Sequence, residues 1–156
     1  MIQLREKHLS PAEFFEYASA AIAFARERSV KIIINDRVDI AAALNADGVH
    51  LGQDDLPPAE ARKILGDDAI IGFSTHSIKQ VREALTFPVD YIAYGPIFDT
   101  KTKLDPDTAV GITPLNQVRE TIGEANLVAI GGIDGRNYRS VLDAGADSVA
   151  IIRAIL

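Results

Sequence analysis

The chain has 156 residues, 47% of them hydrophobic, enough for one globular domain (1–156) with a sizeable core but short for a complete eight-stranded barrel of roughly 250 residues. It contains no cysteine, so disulfides and thiolate metal sites are excluded and any metal must sit on oxygen or histidine. A formal net charge of −6 argues against a general nucleic-acid surface while leaving room for a local cationic pocket.

Short apolar runs of strand character alternate with helical patterns along the chain, the signature of βα units around a parallel sheet. The first run, Ile2 to Leu4, is followed by a helical pattern over Pro11 to Arg28 in which Phe14, Phe15, Ala18, Ile22 and Ala25 recur at helical spacing. Its start is marked by Ser10 as cap, Pro11 at the first helical position and Glu13 three residues after the cap. Strand-like runs then follow at Val30 to Ile34, Gly48 to Leu51, Ala69 to Phe73, Tyr91 to Tyr94, Leu127 to Ile130 and Ser148 to Ile152. Between them the spacing predicts helices over Val38 to Asn45, Pro58 to Leu65, Ile78 to Leu85, Pro114 to Ile122 and Asn137 to Ala144, with Asp36, Ser77 and Thr113 as capping candidates. The one long connection, Phe98 to Thr113, has no strong periodicity, and loops of that length in a compact domain are usually functional or disordered. No apolar stretch approaches the roughly 20 residues needed to span a bilayer, and the opening residues have no apolar region of secretory type. The expectation is a soluble cytoplasmic protein that acts on small molecules, not on nucleic acid or membrane, and is compatible with a homo-oligomer.

Seven strands and six helices, starting and ending on a strand, predict an α/β TIM-type (β/α)8 barrel lacking its first βα unit and its last helix; an open doubly wound sheet is the rival. In such folds the chemistry lies at the carboxyl ends of the strands. The residues just past the apolar runs are Arg5 and Lys7, then Asn35 and Asp36, then Gln53, Asp54 and Asp55, then Ser74, Thr75 and His76. The fifth run leads into Thr100, Lys101, Thr102 and Lys103, the sixth into Gly131-Gly132, and the seventh ends at Ile152-Arg153.

Taken singly these residues have plain structural readings: Asp36 as a helix cap, Asp54-Asp55 before Leu56-Pro57 as a turn, the paired glycines as a tight turn, His50 as an interior residue, and Tyr91 and Tyr94 as core. Their collection at one end of all seven strands favours a site. Asp36 and Asp55 on neighbouring strands suit a hard cation such as Mg2+, which takes a few carboxylates together with substrate phosphate oxygens. Arg5, Lys7 and Lys103 supply charge for the same anion, and Thr100 and Thr102 add hydroxyl donors. Gly132 and the amides near Ile152 and Arg153 imply a second anion site.

The ordered motifs Gln3 to Lys7, Asn35-Asp36, Gly48 to Asp55, Ser74-Thr75-His76, Gly95 to Lys103 and Gly131-Gly132-Ile133 resemble those of the thiamine phosphate synthase family over almost the whole chain. The resemblance implies a transferase that joins hydroxymethylpyrimidine diphosphate to a thiazole phosphate, releasing pyrophosphate, with Mg2+. It implies that Asp36 and Asp55 hold Mg2+, that Arg5, Lys7, Asn35, Thr100, Thr102 and Lys103 hold the diphosphate, that Gln3 and Ser74 face the pyrimidine or the reacting centre, and that Gly132 and Ile152 present amides to the thiazole phosphate. Arg5, Lys7, Ser74 and Lys103 form the expected catalytic set. Against the family pattern, Arg153 replaces a small Ser, and the absent first βα unit leads us to expect a truncated or misassigned start. Two alternatives accompany this reading: a thiazole tautomerase using His76 as general acid and base, and a non-catalytic regulatory paralogue.

Overall fold

The computed structural model describes residues 1–100 and 108–152. Among the described residues the elements are β1 (Ile2–Leu4), α1 (Pro11–Arg26), β2 (Ile32–Asn35), α2 (Val38–Ala43), β3 (Gly48–Leu51), α3 (Pro58–Leu65), β4 (Ile70–Thr75), α4 (Ile78–Ala84), β5 (Tyr91–Tyr94), α5 (Thr113–Ile122), β6 (Leu127–Ala129), α6 (Tyr138–Asp143) and β7 (Ser148–Val149). Sheet order follows chain order, and the β1–β2, β2–β3, β5–β6 and β6–β7 pairs are parallel, as expected of successive βα units of a TIM-type fold. The chain forms two compact units, Met1–Gly72 and one that begins at Phe73; β4 runs through the boundary.

In the first unit, Ile32, Ile33 and Ile34 of β2 are all buried, which is why the run reads as continuously apolar rather than alternating. α1 turns Phe14, Ala18, Ile22 and Ala25 inward; burial of each large side chain in such a stripe stabilises by about 1.5–3 kcal/mol. Its capping box is formed as expected, the Ser10 hydroxyl accepting from Glu13 N at 3.3 Å and Glu13 Oε2 accepting from Ser10 N at 2.9 Å. Regular helix stops at Arg26, two residues before the expected end. Ser29 adopts φ 54°, its amide donates to Arg26 O (3.1 Å) and the Val30 amide to Ala25 O (3.0 Å), a Schellman closure with serine where glycine is usual. In β3, a Cβ on Gly48 would lie 1.9 Å from the Ile70 carbonyl oxygen, so only glycine fits there.

In the second unit, all four residues of β5 are buried, and Tyr91 and Tyr94 are core residues whose hydroxyl pKa values are pushed up by burial. Leu115, Val118 and Ile122 form the inner stripe of α5. β7 is shorter than the expected Ser148 to Ile152, although Ala150 N still donates to Ala129 O at 2.9 Å. Of the capping candidates, Ser77 caps α4 by accepting from Gln80 N at 3.3 Å. Thr113 is instead the first residue of α5, after an Ile112 cap that makes no side-chain bond. Asp36 does not cap α2 either. That position belongs to Arg37, and Asp36 is held in a different way.

Candidate active site

The first unit carries a three-residue charged cluster at the carboxyl ends of β1, β2 and β3. Beyond β2 the backbone reverses through two successive γ-turns. Arg37 N donates to Asn35 O at 2.7 Å around Asp36, whose φ is 61°, and Val38 N donates to Asp36 O at 3.1 Å around Arg37, at φ −90° and ψ 80°. The first of these turns is the strained kind, and a non-glycine residue at its centre costs energy that the surroundings must offset. Two features hold it. Asp36 N donates to His50 O on β3 (2.9 Å), and Arg37 forks onto Asp39 through Nε (2.8 Å) and Nη2 (2.6 Å). The result aims the Asp36 carboxylate at Lys7, whose ammonium contacts Asp36 Oδ2. Asp55 closes the turn after β3, its Oδ2 accepting from Gly52 N at 2.7 Å. Its pKa is raised, chiefly by burial and then by the Asp36 carboxyl beside it, while the Gly52 amide and Lys7 pull the other way. Asp36 and Asp55 therefore interact directly. Arg5 and Gln3 are exposed on and just past β1, and Asn35 is half-buried at the end of β2, in register with His50.

The second unit presents a different surface. Ser74 is buried near the end of β4, and the Thr75 hydroxyl donates to Ala93 O at 2.9 Å. His76 joins the ends of β4 and β5: Nδ1 meets the Gly95 carbonyl oxygen at 2.5 Å, which assigns the proton to Nδ1, and its backbone amide donates to Gln80 Oε1 at 2.7 Å. Past β6, Gly131 and Gly132 have φ 89° and 66°. A Cβ on Gly131 would come within 2.4 Å of Pro96 Cβ, and one on Gly132 within 2.7 Å of Phe98 Cβ. Both glycines are thus required by the close passage of residues 96–99, which Ile97 N to Ile130 O (2.8 Å) and Phe98 N to Gly131 O (3.1 Å) hold in place. Asn137 pins the glycine turn, donating to Gly132 O (3.1 Å) and accepting from Asp134 N (2.8 Å). Thr100 is half-buried and Ile152 exposed; Thr102, Lys103 and Arg153 lie outside the described residues.

The thiamine monophosphate synthase family model matches residues 1–155. The chain belongs to that family. Among curated relatives of thiamine monophosphate synthase type, the "Thiamine-phosphate synthase" of Clostridium novyi (strain NT) is 45% identical over all 156 residues, which span 76% of that protein. The "Thiamine-phosphate synthase" of Halalkalibacterium halodurans is 48% identical, again over the whole chain and 74% of the relative. Among solved structures, a thiamine phosphate pyrophosphorylase from Pyrococcus furiosus superposes with a TM-score of 0.86 at 35% identity, over 98% of this chain and 72% of the other, which bears out the barrel-type fold class read from the sequence.

The Arg37–Asp39 fork and the Asn137 pin were missed by sequence reasoning. Their only trace is an acidic residue two places after Arg37 and an Asn three places after Asp134, spacings that serve turns rather than helix faces. Among the described residues no group of three or more His, Asp or Glu gathers as a metal cage, so the candidate donor set is the Asp36 and Asp55 pair.

Proposed function

We propose that the chain is a thiamine-phosphate synthase, a transferase of thiamine biosynthesis that joins hydroxymethylpyrimidine diphosphate to thiazole phosphate with release of pyrophosphate. The observation that carries this reading is the meeting of Lys7, Asp36 and Asp55 at the ends of three successive strands of one unit. Two neighbouring carboxylates would leave the rest of the coordination to phosphate oxygens and water, which fits Mg2+. Bound there, Mg2+ would supply positive charge against the leaving diphosphate.

In this reaction the C–O bond to diphosphate breaks, the diphosphate keeps the electron pair, and the thiazole nitrogen forms the new C–N bond to the pyrimidine methylene. Charge builds on the leaving group, so Arg5 and Lys7, with Thr100, Thr102 and Lys103, stabilise the transition state more than the bound substrate. Asn35 orients the same anion. Gln3 and Ser74 are assigned to the pyrimidine or the reacting centre. Gly132 and Ile152 offer amides to the thiazole phosphate, and Arg153 is assigned to the same substrate. No enzyme nucleophile is needed, and the protein contributes position and electrostatics. The partners are small molecules in the cytoplasm, and residues 1–156 act as a single domain in this reading.

The relatives matched at 42–48% identity are synthases by name, which favours this activity over tautomerisation through His76 or a regulatory role. An assay of thiamine phosphate formation from both substrates with Mg2+ tests it. Product is expected, with loss of formation on EDTA treatment; a yield no higher than the no-enzyme control overturns the reading.

A further inference from the structure

We infer that the Lys7 ammonium is a resident stand-in for the cation, occupying Asp36 until a diphosphate draws it away, so that divalent metal and diphosphate bind as a coupled pair. This rests on the metal site proposed above. Two neighbouring carboxylates, one of them half-buried, repel each other unless a positive charge lies beside them. Lys7 provides that charge, touching Asp36 Oδ2 and acting on Asp55 as well.

The contact is made to be exchanged. A lysine is a compact charge on a flexible four-carbon stem, and the Lys7 side chain is 47% exposed while that of Asp36 is only 19% exposed. The backbone beneath is fixed separately by Glu6 Oε1 accepting from His8 N at 2.6 Å, so the ammonium can swing without moving the strand end. A divalent ion arriving alone must compete with Lys7 for the Asp36 oxygen, and displaces it towards solvent with no new anion to meet. A diphosphate gives the ammonium a better partner, since a phosphate oxygen accepts a charge-assisted bond, and frees the carboxylate in the same step. Linkage makes the effect reciprocal: whatever diphosphate adds to metal affinity, metal adds to diphosphate affinity. The enzyme would then not fill its site with metal in the absence of substrate.

The test measures binding of Mn2+, as a paramagnetic substitute for Mg2+, by the loss of free-ion signal. Wild type and Lys7→Met are compared with and without inorganic pyrophosphate, with correction for Mn2+ that pyrophosphate takes up alone. Lys7→Met keeps the stem and removes the charge at an exposed position, so folding is preserved. Metal alone is expected to bind Lys7→Met about fivefold more tightly than wild type, the scale of a half-exposed ion pair, and pyrophosphate should enhance metal binding less in the variant. If wild type binds metal with pyrophosphate but Lys7→Met binds metal alone no better than wild type, the stand-in role is overturned while the metal site stands. If wild type takes up no metal even with pyrophosphate, the metal site and the inference fall together.

Discussion

The α2–β3 segment of the first unit and the α6–β7 segment of the second, one hundred residues apart, close by the same device and end in different chemistry. Asn45 and Gly145 sit at the same point after their helices with φ 47° and 108°. Each opens a Schellman closure, Ala46 N to Ala41 O at 2.9 Å in one and Ala146 N to Val141 O at 3.5 Å in the other. Asp47 Oδ2 then accepts from Ile32 N at 2.8 Å, tying the start of β3 to the start of β2, and Asp147 Oδ2 accepts from Leu127 N at 2.7 Å, tying β7 to β6. An arginine on the preceding helix braces each, Arg26 on Leu44 O and Asn45 O, Arg119 on Gly145 O. At the opposite strand ends the likeness stops. Positive φ is carried past β2 by Asp36, a strained residue whose carboxylate meets Lys7, and past β6 by Gly131 and Gly132, residues without strain that let the backbone come close. One end of each module is closed by the same bonds; the other carries the residues proposed to bind substrate, and there the two diverge.

The largest expected effect tests where the two modules differ at their stability end. Position 48 must be glycine because the Ile70 carbonyl lies where a side chain would go, whereas its counterpart Ser148 is exposed. Gly48→Ala should cost more than about 4 kcal/mol and leave the chain largely unfolded, since the obstruction is backbone. Ser148→Ala should stay within about 0.5 kcal/mol. Urea denaturation of both variants breaks the comparison if Gly48→Ala retains a wild-type midpoint.

Next in size is a pair of opposite-signed changes at the binding ends. Asp36→Gly removes strain, so stability should hold or rise by up to about 1 kcal/mol, while synthase activity falls at least about 100-fold with the carboxylate gone. Gly132→Ala introduces strain and a 2.7 Å contact with Phe98 Cβ, costing about 1–3 kcal/mol. Thermal melts and rates measured together decide the point. A destabilised Asp36→Gly would show that the turn at Asp36 is structural rather than kept for its carboxylate.

Much of this fold was legible because central strands are buried on both faces: Gly48 to Leu51 and Tyr91 to Tyr94 appear as apolar runs with the observed bounds, whereas Ile2 to Leu4 has the observed bounds but is largely exposed. Ser10 announced its helix because capping is local. The turn at Asp36 was not legible as a turn, since an Asp just before a helix reads as a cap and only the bond to His50 O on the next strand shows otherwise. The Gly131-Gly132 pair was visible, but its cause, the passage of Pro96 and Phe98, is a contact distant in sequence. Lys7, Asp36 and Asp55 could each be picked out by position past a strand; that Lys7 lies on Asp36 could not.

The smallest expected effect separates the two stability ends by pH. Asp147 meets the Arg119 guanidinium as well as the Leu127 amide, and its pKa is lowered, first by the Leu127 amide and then by Arg119. A carboxyl whose folded pKa lies below its unfolded value contributes fully above the unfolded value, about 3.9, and loses that contribution as pH falls through the folded one. Urea midpoints of wild type should therefore be level on this account down to about pH 4 and decline below it. Asp147→Asn removes the charge and keeps an oxygen that can accept from Leu127 N, so its acid decline should be shallower. The difference should be at most about 1 kcal/mol, because the Asp147 side chain is 52% exposed and solvent screens the pair. Parallel acid limbs for the two proteins would mean that the amide bond alone holds the start of β7, and that the extra arginine contact is not a second tie between α5 and that strand.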